Sequence, residues 1–199
     1  MRLLLTFVST IWVCISYAQE SEQKYLADAS SSKLEWTGKK LTGEHYGEIK
    51  LKAGELTFSK NKLVGGRFEM EMNSITCTDI TDAKSNKRLV DHLKSEDFFS
   101  VVRYPTSYFV ITSVEAKSDI EYNITGNLTV KGKTNPITFP VKLRSERNNL
   151  LAEATMTFDR SLYDVKFGSQ SFYENLGDKL VYDDIDIAIK LKLKQEESN

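Results

Sequence analysis

Apolar and polar residues alternate along most of this chain. From Val181 to Lys194 the sequence VYDDIDIAIKLKLK sets Ile185, Ile187, Ile189, Leu191 and Leu193 at one parity and Asp184, Asp186, Lys190 and Lys192 at the other, the period of two that a half-buried strand requires. The alternation recurs in Ile49/Leu51, Leu56/Phe58, Phe68/Met70/Met72, Ile124/Leu128/Val130, Ile137/Phe139/Val141/Leu143 and Ala152/Ala154/Met156/Phe158. Turn signals separate these runs, among them Ser59-Lys60-Asn61-Lys62, Lys131-Gly132-Lys133 and Arg147-Asn148-Asn149, each short enough to join antiparallel neighbours. The pattern predicts an all-β, antiparallel, up-and-down meander of about eight strands, which buries its oily face by closing into a barrel or folding into a sandwich. A barrel also removes the exposed edges. The segments 49–60 and 62–75 exceed the common strand length of about five or six residues, and at roughly 3.3 Å per residue they reach about 40 Å. A deep, elongated interior is expected, with Gly54 and the Gly65-Gly66 pair as bulges or bends that let the tall strands curve.

Two stretches break the alternation. Between Thr78 and Ser100, Leu89 and Leu93 stand four apart with Val90 and His92 nearby, which predicts one short amphipathic helix with Asp79, Asp82 or Ser85 as candidate caps. It ends in Phe98-Phe99, and Tyr104-Pro105 then sets up the next strand. The second stretch, Ser161 to Leu180, carries Phe167, Phe172 and Tyr173. Both connections are long for a meander and are expected to cover a barrel mouth.

The first eighteen residues differ from the rest. Arg2, the apolar run Leu3 to Ile15 and the small residues Ser16 and Ala18 around Tyr17 have the make-up of a secretory signal peptide; the run is too short for the roughly 20 residues of a membrane span. Cleavage after Ala18 makes the product periplasmic or secreted. Cys14 suggests a lipid-anchored alternative, but the bulky Ile11-Trp12-Val13 before it does not suit a bacterial lipobox. Residues 19–32 are read as a lead-in, 33–194 as the barrel and 195–199 as a tail. With 27 Lys+Arg against 28 Asp+Glu the chain lacks the basic excess of a nucleic-acid binder, and nucleic acid is excluded as a partner. Cys77 is the only thiol left after cleavage, so no internal disulfide framework exists and stability comes from the core.

A set of ordered motifs carries a resemblance. His92-Leu93-Lys94-Ser95 with Asp97-Phe98-Phe99, then Tyr104-Pro105-Thr106 and Phe109, then Tyr122-Asn123-Ile124-Thr125-Gly126-Asn127-Leu128-Thr129 resemble the YceI-like family of secreted lipid-binding proteins. Upstream, Trp36, Gly43-x-His45 with Gly47, Gly66-x-Phe68 and Met72-Asn73-Ser74-Ile75 fit the same pattern, as does Asp159-Arg160 downstream. The resemblance covers residues 33 to 193. It implies a lipocalin-like barrel holding a polyisoprenoid, an isoprenoid quinone-like molecule or another long amphiphile, no cofactor beyond that lipid, and it is compatible with a homodimer.

The expected ligand-binding set follows from parity and from this resemblance. It comprises Phe58, Phe68, Met70, Met72, Phe109, Ile111, Phe139, Met156 and Phe158 on strand faces, Trp36 and His45 near a strand start, and His92, Leu93, Phe98, Phe99, Phe167 and Phe172 in the long connections. The methionines suit a flexible tail, since an unbranched thioether fills irregular gaps, although each also suits ordinary core packing. Burial of one five-carbon isoprene unit is worth at most about 4 kcal/mol at about 0.8 kcal/mol per methylene, against an association cost of roughly 4–15 kcal/mol. About three buried units are needed for useful affinity. The two histidines could contact a polar head group or only cap and hydrogen-bond locally. No H-E-x-x-H, G-x-S-x-G or P-loop occurs, so no catalytic or metal site is expected; an enzyme acting on a lipid bound in the same cavity is the alternative reading.

Overall fold

The computed structural model describes residues 22–196 apart from 148. The expected signal segment, Cys14 and the last residues of the expected tail lie outside the described residues. Nine strands form one antiparallel sheet: β1 (Gln23–Ala27), β2 (Lys33–Lys40), β3 (Gly43–Ser59), β4 (Lys62–Glu71), β5 (Thr106–Ala116), β6 (Glu121–Val130), β7 (Lys133–Glu146), β8 (Asn149–Asp159) and β9 (Val181–Gln195), with one helix, α1 (Ala83–Lys94), between β4 and β5. From β2 to β9 each strand pairs with the next, and β9 returns to β2 through Leu34↔Ile189 and Trp36↔Ile187. The sheet closes as the expected barrel.

The lead-in contains a strand that alternation did not reveal. β1 pairs with the far end of β3 (Leu26↔Glu55) and of β9 (Ala27↔Leu193), so it continues the slot occupied by β2. Nine strands therefore fill eight positions. Between them the Asp28 carboxylate accepts from the Ser30 hydroxyl at 2.6 Å and the Ser30 amide at 3.1 Å, an Asx turn that steps the chain out of the ladder and back.

Bulges explain why inward parity changes along a strand. On β3 the register against β4 shifts between Leu51 and Ala53, turning an inward odd series (Ile49, Leu51) into an inward even one (Leu56, Phe58). This bulge was expected at Gly54. Gly54 instead stays in register with Phe68, whose ring covers it so closely that an added Cβ would lie 2.3 Å from Phe68 Cδ1. On β4 the extra residue is Val64, next to the Gly65-Gly66 pair, and on β5 it is Thr112. The tight turns Lys60-Asn61 and Lys131-Gly132 have positive φ at both residues, the I′ geometry that matches strand twist.

One boundary differs from expectation. β4 stops at Glu71, and Met72–Ser74 form a 3₁₀ turn in which Met72 is buried. Pro105 O accepts the Met72 amide at 2.9 Å, which draws the chain inward instead of along the ladder.

Candidate ligand-binding site

The mouth of the barrel is built at the end where β2 finishes and β3 and β9 begin. After the 3₁₀ turn the chain runs as a strap along the open edge of β3, with Thr76 N donating to Glu48 O (3.0 Å) and Thr78 N to Tyr46 O (2.9 Å). The strap lies so close that a Cβ on Gly47 would be 1.9 Å from Thr76 O; only glycine admits it. The same carbonyl accepts from the Trp36 indole Nε1 at 3.0 Å, fixing the ring at the chamber wall.

Asp79 lies at the end of the strap and does not cap the helix. Its Oδ2 is 2.8 Å from His45 Nδ1, and its Oδ1 accepts from Tyr46 N (3.0 Å) and from the Cys77 thiol (3.2 Å). Burial pushes the carboxyl upward in pKa, but bonds from His45, Tyr46 and Cys77 outweigh it and hold Asp79 below its ordinary value. Burial, with Asp79 alongside, pushes the Cys77 thiol up, so Cys77 is a packed group and not a reactive one. The cap of α1 is Asp82, which accepts from Ser85 N at 2.8 Å.

Two connections meet over the mouth. The His92 ring, on α1, lies edge-on to Phe167 at 4.3 Å and to Phe98 at 5.5 Å, and Phe98 touches Phe99 at 5.5 Å. Beneath them Arg160, 0% exposed, donates to Val165 O (2.8 Å), Val181 O (3.0 Å) and Tyr182 O (3.1 Å). Its guanidinium lies 5.4 Å from the Phe98 ring centre and 3.2 Å from Asp183 Oδ1, while Asp183 Oδ2 accepts from Ser169 and Ser171. Lys131 adds a second tie through Glu96 O (3.1 Å) and Asp164 O (3.0 Å). The long connections are thus covers pinned by one buried cation, Arg160, and one half-buried cation, Lys131. Among the described residues no cluster of three or more His, Cys, Asp or Glu is arranged to hold a metal.

The interior is divided, where one elongated space was expected. An upper chamber of about 260 Å³ under the covers is lined by Trp36, His45, Met70, Met72, His92, Leu93, Phe98, Phe99, Met156, Phe158 and Phe167 from the expected set, and by Ser107, Leu128 and others. A lower chamber of about 70 Å³ is lined only by apolar side chains, with Phe68, Phe109, Ile111 and Phe139 from the expected set. Leu34, Met70 and Met156 line both and form a waist between them. Outside the mouth a basin with charged side chains such as Glu96, Asp97, Lys131 and Asp164 on its walls shares Lys40, Phe167 and Val181 with the upper chamber.

Two expected residues line neither chamber. Phe58 packs edge-on against Tyr25 of β1 at 5.2 Å, because the overlooked strand pairs beside that end of β3 and brings Tyr25 next to it. Phe172 is 41% exposed with Lys166 Nζ 5.2 Å above its ring; an irregular loop has no period to assign a face. Sequence reasoning also overlooked Ser107. Its signal was available: it lies two residues before inward-facing Phe109, and a polar residue at inward parity is the exception to explain.

Comparison with known proteins agrees with this architecture. The YceI-like domain family matches residues 25–193. The chain is 36% identical over 98 residues to Protein YceI of Escherichia coli O157:H7, covering 49% of this chain and 48% of that protein, and 34% identical over 101 residues to Protein YceI of Salmonella arizonae, covering 51% and 50%. It thus spans about half the length of the curated relatives it matches. Among solved structures, Burkholderia cenocepacia BcnA superposes with a TM-score of 0.69 at 23% identity over 83% of this chain and 98% of that one. A polyisoprenoid-binding domain from Saccharophagus degradans, implicated in plant cell wall breakdown, gives 0.63 at 11% identity over 86% and 98%. These two likenesses are of fold. The family match spans nearly the whole barrel, from β1 to β9, and the chain belongs to the YceI-like family.

Proposed function

We propose that this protein binds a long isoprenoid-type or similarly amphiphilic lipid inside its barrel and acts, after export, in carriage, storage or sequestration of that lipid. The observation that carries this reading is the upper chamber: an apolar hollow of about 260 Å³ at the mouth of a closed barrel, roofed by aromatic side chains. A void of that size in a domain core forfeits dispersion contacts on every wall, and close packing normally eliminates it. Concave apolar hollows with a few polar groups are the usual form of small-molecule sites. The volume lies just under the roughly 300–1,000 Å³ of such sites, so the chamber alone holds a segment of a long ligand and the remainder must pass the methionine waist or extend through the mouth. The polyisoprenoid binding named for the Saccharophagus degradans domain supports the ligand class. The lipid is the only small molecule the reading requires, with no metal or redox cofactor, and the chain works as a carrier and not as an enzyme.

Native mass spectrometry of the exported protein, with extraction of its lipid, tests the reading. An intact long-chain lipid at one per chain is expected. A protein that purifies empty and takes up no added twenty-carbon isoprenoid alcohol overturns it, as does one that converts the added lipid to product.

A further inference from the structure

Ser107 has no structural employment. It lies on β5 opposite Met70 of β4, 4% exposed, with its side chain on the wall of the upper chamber. Among the described residues its hydroxyl has no hydrogen-bond partner, and the oxygen is not sealed off, so it stays open to a partner that enters the chamber. A hydroxyl on an otherwise apolar wall is best served by an occupant that brings it a partner. The chamber offers a second free polar atom. Asp79 Oδ2 engages the Nδ1 side of the His45 ring at 2.8 Å, which leaves Nε2 as the ring's second hydrogen-bonding atom, and among the described residues it has no partner. By contrast, the lower chamber, beyond the waist, is lined only by apolar side chains.

We infer that Ser107 is a specificity-determining residue for an isoprenoid that carries a hydroxyl: the lipid inserts tail first, its tail passes Met70, Met156 and Leu34 into the lower chamber, and its hydroxyl stays in the upper chamber beside Ser107. This rests on the proposed lipid binding and adds an orientation and a head-group chemistry to it. Ser107 Oγ both donates and accepts, and His45 Nε2 donates or accepts according to its tautomer. A hydroxyl, which also does both, is served by either group; a hydrocarbon is served by neither. The polarity difference sets the direction of insertion, because a head group driven into the lower chamber would lose water and find no partner. The thioethers of Met70 and Met156 are suited to a waist that must yield, since an unbranched chain changes shape at low cost.

The test is competitive. The protein is equilibrated with equal amounts of phytanol and phytane, the same branched twenty-carbon skeleton with and without a hydroxyl, in dodecyl maltoside micelles, and the bound lipids are extracted and quantified. The wild type should retain phytanol preferentially. Ser107→Ala should lower the phytanol-to-phytane ratio roughly fivefold, the loss of one hydrogen bond, while its melting temperature stays unchanged or rises because an unsatisfied hydroxyl has been removed. An unchanged ratio in a folded Ser107→Ala overturns the inference and leaves lipid binding intact. So does a lowered melting temperature with the same ratio, which would make the hydroxyl structural. If the wild type retains neither lipid, both the inference and the proposed function fall.

Discussion

Met70→Trp separates a cavity from a solid core. Met70 is 7% exposed and lines both chambers, so the larger indole must occupy space at the waist. In a close-packed core an oversized side chain costs typically about 1–3 kcal/mol. Here hollows of about 260 and 70 Å³ lie on either side, and the expected cost is below about 1 kcal/mol, which for a domain of this size lowers the melting temperature by no more than about 4 °C. Binding should suffer more. Excluding one five-carbon unit from the lower chamber removes at most about 4 kcal/mol; with half of that unit still covered above the waist, about 2 kcal/mol remains, near a thirtyfold rise in Kd. The assay is a titration series with isoprenoid alcohols of ten, fifteen and twenty carbons. In the wild type each added unit should tighten binding; in Met70→Trp the gain should stop before the longest alcohol. Glu69→Trp, whose carboxylate pairs with Lys52 at 3.3 Å outside the barrel, is the control and should leave the series unchanged. A variant that melts more than about 8 °C lower while binding the twenty-carbon alcohol like the wild type refutes the reasoning, because the waist would then be packed core with the lipid elsewhere.

Two further outcomes are expected. Arg160→Met leaves three carbonyls and Asp183 without their buried cation; breaking such a pair costs about 3–5 kcal/mol, a fall of roughly 10 °C or more by calorimetry, and Arg160→Lys, which keeps the charge but not the fork, should lie between the two. The Asp79 carboxyl is held below its ordinary value of 3.8, so its contribution is fully present above that value and is lost as pH falls through its lower folded value. Hydrogen exchange at the Tyr46 amide, which donates to Asp79, should therefore accelerate specifically below about pH 4, whereas in Asp79→Asn it should lack this acid-dependent step.

Period-two alternation identifies a strand because side chains on a pleated backbone point to opposite faces in turn, and here it located β3, β4, β6, β7, β8 and β9 and the faces they bury. It overlooked β1, whose five residues QKYLA carry too few alternations to register and which exists because β3 and β9 each offer an unpaired stretch beside it. Bulges were legible as glycines but not placed by them: the shift at Leu51/Ala53 arises from pairing with β4, and Gly54 serves to admit the Phe68 ring.

For the site, the inward aromatic and methionine positions were readable one by one, because inward parity is a local property. Which of them border empty space is not local. A hollow is what remains when nine strands, a helix and a loop have taken their places, so the division into two chambers at Leu34, Met70 and Met156 is a property of the closed barrel alone. The same holds for the covers. His92, Phe98 and Phe167 lie up to 75 residues apart in the chain and meet over the mouth, where Lys131 bridges Glu96 O and Asp164 O and Arg160 lies against the Phe98 ring. The all-β class, the oily interior and the family motifs are written in residue order; the waist, the partnerless Ser107 and the Asp79-held His45 depend on distances that sequence order does not carry.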